Sequence, residues 1–250
     1  MDLKRRKFQG MLNILSFNRH FYVAGFIDLC ILCGTYFVFD WPPLIFYMVL
    51  AAFLYGLLMP LLVSAYVYDY SGYYDFLWLK QFELKDHPSQ QILNINAGFD
   101  ETSFILHDIF PQSELNVFDF YDAKRHTERA IVRARKVSMV YPDTQQISTA
   151  SIPLPDNSTD LIFLLSAAHE IRKFEEKVQF LKECRRVCKP GTKVMMVEHL
   201  RDLPNFLAFT VGFFHFFSKR TWQKAYTAAG FTAFAETKFT PFMSVFTNLA

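Results

Sequence analysis

Two long apolar runs, separated by a proline break, constrain this chain more than any other feature of its sequence. From Phe21 to Phe39 it reads FYVAGFIDLCILCGTYFVF, with Asp28 as the one charged side chain. Asp40-Trp41-Pro42-Pro43 interrupts that run, and from Leu44 to about Tyr68 the chain is apolar again, with no charge and a single proline, Pro60. Each run is long enough to cross a hydrocarbon core of about 30 Å as a helix. The second cannot continue the first through two consecutive prolines. The pair therefore predicts a two-helix membrane hairpin.

Charge flanking the runs sets its orientation. Lys4, Arg5, Arg6, Lys7 and Arg19 precede the first run, the connecting loop has no Lys or Arg, and the larger C-terminal part is rich in both. By the positive-inside bias, the N-terminus and the C-terminal part both face the cytoplasm. Tyr66, Tyr68, Tyr70, Tyr73, Tyr74 and Trp78 then form an interfacial aromatic belt where the chain leaves the lipid. Two other placements share these features: a hairpin that dips into one leaflet, and a helix pair buried in a soluble core. A cleaved signal peptide fits poorly, because the run starts late, lacks a small-residue cleavage site and is followed by a second run. Asp28 is costly at mid-membrane unless it faces the second helix or snorkels.

Composition points the same way. The chain carries 29 Phe against 9 Gly in 250 residues, more Phe than a soluble core of this size needs. A net charge of +2 gives no support to nucleic-acid binding. Cys30 and Cys33 lie in the first apolar run and Cys184 and Cys188 in a helical pattern far away. They read as reduced thiols facing a reducing compartment. The pattern specifies no oligomeric state.

After Gln81 the character changes, and the segment from Asp69 to Gln90 is the natural boundary between an anchor over residues 1–80 and a domain over residues 81–250. Strands are predicted at Gln91–Ile95, Leu115–Phe120, Asp160–Ser166 and Lys193–Glu198, with two more in Phe231–Leu249. Helices are predicted at Glu101–Phe110, Ala123–Val137, Glu175–Cys188 (stopped by Pro190-Gly191) and Thr221–Ala229 (closed by Gly230). Strands alternating with helices imply an α/β fold, a mainly parallel sheet covered on both faces.

Within this alternation several segments resemble the class I S-adenosylmethionine-dependent methyltransferases, in particular the small-molecule branch that includes quinone-biosynthesis enzymes. Ile152-Pro153-Leu154-Pro155-Asp156-Asn157-Ser158-Thr159-Asp160-Leu161-Ile162 is similar to the family segment that enters the fourth strand. Phe180–Val194, FLKECRRVCKPGTKV, is similar to its helix-turn-strand pattern. The resemblance covers roughly residues 88–240 and implies a Rossmann-like, seven-stranded sheet with S-adenosylmethionine as cofactor. It implies that the turn Asn94-Ile95-Asn96-Ala97-Gly98-Phe99-Asp100 lies against the cofactor. The family's Asp is Asn94 here, and Gly98 is the one glycine retained. It further implies that Asp119, with Phe120 beside it, ends the second strand and accepts the ribose hydroxyls, and that Ser148 meets the adenine amine.

Catalytic candidates follow the fourth and fifth strands, where a parallel sheet places its site. His169-Glu170 and Glu198-His199 occupy those positions. A histidine near neutral pKa can take a proton from a phenol or carboxylic acid acceptor, so His169 is the first candidate base and His199 the second, with Glu170 and Glu198 as orienting partners. Each pair also fits a helix-capping role. A metal site from His169, His199 and His215 is conceivable, but the spacing assigns none. Asn205–Phe217, NFLAFTVGFFHFF, suits a greasy acceptor, a surface resting on the bilayer, or core packing. The leading expectation is a membrane-anchored methyltransferase acting on a lipophilic small molecule at the cytoplasmic leaflet. The alternative is a catalytically inactive methyltransferase-like domain that binds lipid or a protein partner at the membrane.

Overall fold

The computed structural model describes residues 5–84, 86–126 and 128–250. Lys4, one of the expected basic flank, lies outside them. The chain opens with α1 (Gln9–Phe17), followed by α2 (Arg19–Val38) and α3 (Pro43–Ala65), which a wider π turn extends over Tyr66–Tyr70. Then come β1 (Gln91–Asn96), α4 (Ser103–Ile109), β2 (Glu114–Asp119), α5 (Arg129–Ala134), β3 (Gln145–Gln146), β4 (Thr159–Leu165), α6 (Phe174–Val187) and β5 (Cys188–His199). The last elements are α7 (Leu203–Phe209), α8 (Lys219–Ala228), β6 (Ala233–Lys238) and β7 (Met243–Leu249).

α2 and α3 form an antiparallel hairpin. Tyr36 stacks against Phe46 at 4.4 Å, and buried Gly25 lets the Leu57 side chain approach the α2 backbone. At 20 and 23 residues these helices span about 30 Å and about 35 Å. Almost no residue along their apolar spans is fully buried, unlike the core helices of a soluble fold. Asp28 is exposed rather than turned against α3.

The seven strands form one sheet in the order β3-β2-β1-β4-β5-β7-β6, parallel throughout except for β7. The central run Leu161–Leu165 is buried on both faces, which is why it reads as continuous apolar sequence rather than as an alternation. One face, carrying Leu93, Ile95, Ile162, Leu164, Val194 and Met196, is covered by α6 and α8. The other, carrying Ile92, Phe163, Met195 and Val197, is covered by α4, α7 and the residues that leave the hairpin: Val63, Val67, Tyr73, Phe76, Trp78 and Leu79. The expected aromatic belt is thus partly core. Tyr73 and Trp78 are buried, while Tyr66 and Tyr70 stay exposed.

Two expected elements differ from the structure. The basic helix over Ala123–Val137 shortens to α5, because local side-chain bonds hold its first part in a turn. The Asp122 carboxylate accepts the Lys124 N–H and the Asp122 N–H donates to His126 Nδ1. Pro190-Gly191 lies inside β5, in an irregularity between the pairs Thr159–Cys188 and Leu161–Lys193, and Gly191 has φ +77°. A bulge of this kind tolerates proline, so the helix stops at Val187 and the strand begins at once.

α1, which lies between the basic residues Lys7 and Arg19, was not expected from the sequence. It is held by distant residues: the Asp69 carboxylate accepts the Gly10 and Met11 N–H groups at 2.7 and 3.0 Å, and Phe17 packs on Ile131 and Ala134 of α5. Both ends of the hairpin therefore attach to the same domain.

Candidate active site

The strand order reverses between β1 and β4, and the loops at the C-terminal ends of β1, β2, β4 and β5 carry nearly all the polar residues singled out above. In open parallel sheets this edge is where ligands bind.

At the end of β1 the polar side chains fold into the turn itself. Asn96 Oδ1 accepts the Gly98 N–H at 2.8 Å, and Asp100 Oδ1 accepts the N–H groups of Thr102 and Ser103 at 2.9 and 3.0 Å. Asn94 Nδ2 donates to the hydroxyls of Thr102 and Ser103. Ala97 is buried, and Gly98 has φ +85°, the left-handed conformation that glycine adopts at no steric cost. Asp119 ends β2, with Oδ1 accepting the Tyr121 N–H and Oδ2 paired to Arg135 Nη1 at 2.7 Å. The Arg135 guanidinium lies over the Tyr121 ring and over Gly98, where an added Cβ would collide with Nη1. Phe120 turns into the core against Phe180, so only its backbone faces this edge. Ser148 is exposed and its Oγ accepts the Ala150 N–H.

These residues fit an adenosine-bearing ligand in kind. Asn94 Oδ1, Asn96 Nδ2 and Asp100 Oδ2 are buried with no partner among the described residues. Such atoms are costly to leave unmet. The group covering Gly98 is the far end of a flexible side chain rather than backbone.

The second cluster lies past β4 and β5. His169 Nδ1 donates to Glu198 Oε2 at 2.7 Å, and its Nε2 lies 3.5 Å from Glu170 Oε1. His215, at the end of the 3-10 segment Thr210–His215, meets Glu128 and Glu170 at 3.2 and 3.9 Å. Burial pulls the His169 pKa down, but the Glu198 and Glu170 carboxylates outweigh it and hold it up at about 10. Burial also opposes ionisation of Glu170, yet the hydrogen bond and charge of His169, with His215 beyond, bring it to about 2. A ring held this way carries both protons at neutral pH, so His169 pairs with its carboxylates and is not poised to take a third group's proton.

His199 does not join this cluster. Residues 198 and 199 point to opposite faces of β5. Its Nδ1 meets the Phe242 carbonyl at 2.9 Å and Asn205 Oδ1 at 3.1 Å, its Nε2 meets the Tyr68 hydroxyl at 2.8 Å, and its ring stacks on Phe216. With Nδ1–H donating to the carbonyl, Nε2 accepts from Tyr68. Burial lowers the pKa to about 4, leaving the ring neutral. His199 is therefore a packed, satisfied histidine that ties the hairpin exit to the sheet.

The sequence reading gave no role to Arg135, Arg172 or Lys177. Lys177 reads as a surface helix lysine, yet it is buried with Nζ against the Ile171 carbonyl and over the Phe217 ring, and burial lowers its pKa to about 7.

Residues 98–196 match the methyltransferase domain family. The chain is similar to the PH0226 protein of Pyrococcus horikoshii at 19% identity and TM-score 0.53, over 73% of this chain and 91% of that one. It is similar to human N-acetylserotonin methyltransferase, solved with S-adenosylmethionine, at 15% identity and TM-score 0.51, over 78% of this chain and 55% of that one. It is also similar to an S-adenosylmethionine-dependent methyltransferase of Aquifex aeolicus at 18% identity and TM-score 0.50, over 69% and 88%. The chain has the class I methyltransferase fold. No curated protein matches it in sequence. The family match begins at Gly98, inside the turn after β1, and includes Asp119.

Proposed function

We propose that the chain is a membrane-anchored, S-adenosylmethionine-dependent methyltransferase acting on a lipophilic small molecule at the cytoplasmic leaflet. The observation that carries this reading is an exposed apolar ridge running from the anchor to the polar cluster. Leu203, Phe206, Leu207, Val211 and Phe214 of α7 and the following 3-10 segment are all exposed, Val211 at 77%. The ridge abuts α3, where the Tyr55 hydroxyl donates to the Leu207 carbonyl at 2.7 Å, and it ends at His215. A contiguous apolar surface of this kind fits lipid contact, and an acceptor dissolved in the bilayer meets the polar cluster along it.

The cofactor supplies an electrophilic methyl group when bound. Asp119 then accepts the ribose hydroxyls, Gly98 and Asn96 shape the turn beneath, and Arg135 releases the carboxylate to make room. The acceptor lies toward His169, Glu170 and Glu198, whose carboxylates orient it. Attachment of α1 and the π turn to one domain supports a hairpin whose ends lie on one side, and the basic flank supports the cytoplasmic side.

A second reading is favoured by the Arg135–Asp119 pair itself. A domain in which that pair never opens binds no cofactor and serves as a lipid- or protein-binding module.

The test is transfer of labelled methyl from S-adenosylmethionine to a lipid extract, with the full chain in vesicles. Label in the organic phase that Asp119→Ala abolishes is expected. Label confined to water-soluble products would contradict the lipophilic acceptor, and no label in any fraction would favour the second reading.

A further inference from the structure

We propose that His169, Glu170 and His215 bind a divalent transition-metal ion. One donor atom from each lies within 4.8 Å of the other two. His169 Nε2 and His215 Nε2 are 3.5 and 3.9 Å from the same Glu170 Oε1. The two rings are crossed at 76° with centroids 4.9 Å apart, so they do not stack face to face. Two imidazoles and a carboxylate converging on one point form the donor set of zinc hydrolases and of mononuclear iron(II) sites.

The surroundings distinguish this cluster from a chance gathering of polar groups. Each histidine directs its Nδ1 at a separate carboxylate: His169 at Glu198, 2.7 Å away, and His215 at Glu128, 3.2 Å away. That arrangement leaves Nε2 as the metal-facing atom of each ring, where on His169 the ion would displace the second proton, and it is the usual outer shell of a metal-bound histidine. Glu198 is almost wholly buried and its other oxygen accepts the His169 backbone N–H, so this residue is held at both ring and backbone. Arg172 Nη1 donates to the carbonyls of both His169 and His215, at 3.1 and 2.7 Å, tying together two segments that are distant in sequence. The guanidinium thus fixes the backbone on which the ligands sit, and three carboxylates surround the two rings.

The ligand class is a first-row divalent ion with N2O donors, its open positions taken by water or by an oxygen of a bound molecule. An ion here would hold a phenolic or enolic acceptor oxygen as its anion. That role alone rests on the methyl-transfer reading; binding of the ion does not.

The test is a Co2+ titration of the untagged, chelator-stripped full chain in detergent, read by visible d–d absorption, with Zn2+ as competitor. Stoichiometric binding displaced by Zn2+ is expected, weakened at least tenfold in Glu170→Gln and His215→Ala, and roughly ten- to a hundredfold in Glu198→Gln. Glu170→Gln keeps the shape of the site, so it carries the test if His215→Ala fails to fold. Absence of d–d absorption in excess Co2+, or wild-type affinity in Glu170→Gln, would overturn the proposal. The titration contains neither S-adenosylmethionine nor acceptor, so its failure leaves methyl transfer standing, and failure of methyl transfer leaves it standing.

Discussion

Arg135 Nη1 lies 2.7 Å from Asp119 Oδ2, and the same guanidinium covers Gly98. One side chain at the C-terminal end of α5, just past its last residue, therefore occupies both features that the fold offers to an adenosine-bearing ligand. A charge-assisted bond of this kind contributes about 1.5–3 kcal/mol. Roughly a third of the guanidinium side chain is exposed, which reduces that figure toward its lower end. Arg135→Ala is expected to tighten S-adenosylmethionine binding by about tenfold, measured by calorimetry. Weaker binding in the variant would mean that Arg135 assists the ligand rather than competing with it.

Gly98 tests the same corner sterically. Gly98→Ala places a Cβ on a backbone at φ +85° and against Arg135. Left-handed alanine costs about 1–2 kcal/mol and the contact with Arg135 adds to it, so denaturant unfolding should show a loss of more than that. Combining it with Arg135→Ala relieves the contact but not the backbone cost, and partial recovery is expected.

The neutral state of His199 gives the fold a pH dependence. The unfolded ring takes up a proton near pH 6.5, the folded ring only near about 4. Between those values the unfolded chain binds more protons, so stability falls as pH falls, by up to about 1.4 kcal/mol per pH unit. Above pH 6.5 the contribution is fully present. A thermal midpoint that drops between pH 7 and pH 5, with a smaller drop in His199→Gln, is the expected result. Tyr68→Phe removes the donor to Nε2 and should cost about 1–2 kcal/mol at pH 7.

The ridge beside the anchor is testable by depth. A tryptophan at Val211, in a variant whose three native tryptophans are replaced by phenylalanine, should be quenched by bromine-labelled lipid chains in vesicles. Emission insensitive to those chains would place the ridge in water and remove the argument for a bilayer-dissolved acceptor.

Much of this architecture was legible because its signals are local. Two apolar runs with prolines between them specify α2 and α3, and the continuous LIFLLS run specifies a strand buried on both faces. The family-like segments around Pro155-Asp156 and Phe180–Val194 implied the Rossmann-like seven-stranded sheet in advance. What escaped depends on partners far away in sequence. α1 is held by Asp69 and by α5, and Arg135 meets Asp119 only because α5 packs over the end of β2. His169, Glu170 and Glu198 were readable as strand-end residues. His215 joins them because the ridge folds back, and Arg172 fixes that return. His199 was misplaced as a base for a geometric reason: one residue along a strand reverses the face.

Calorimetric titration of the full chain with S-adenosylmethionine tests the central claim most directly. Micromolar binding that Asp119→Ala weakens at least tenfold, a loss of about 1.4 kcal/mol, is the expected result. No detectable binding up to millimolar ligand, in the wild type and in Arg135→Ala alike, would contradict it.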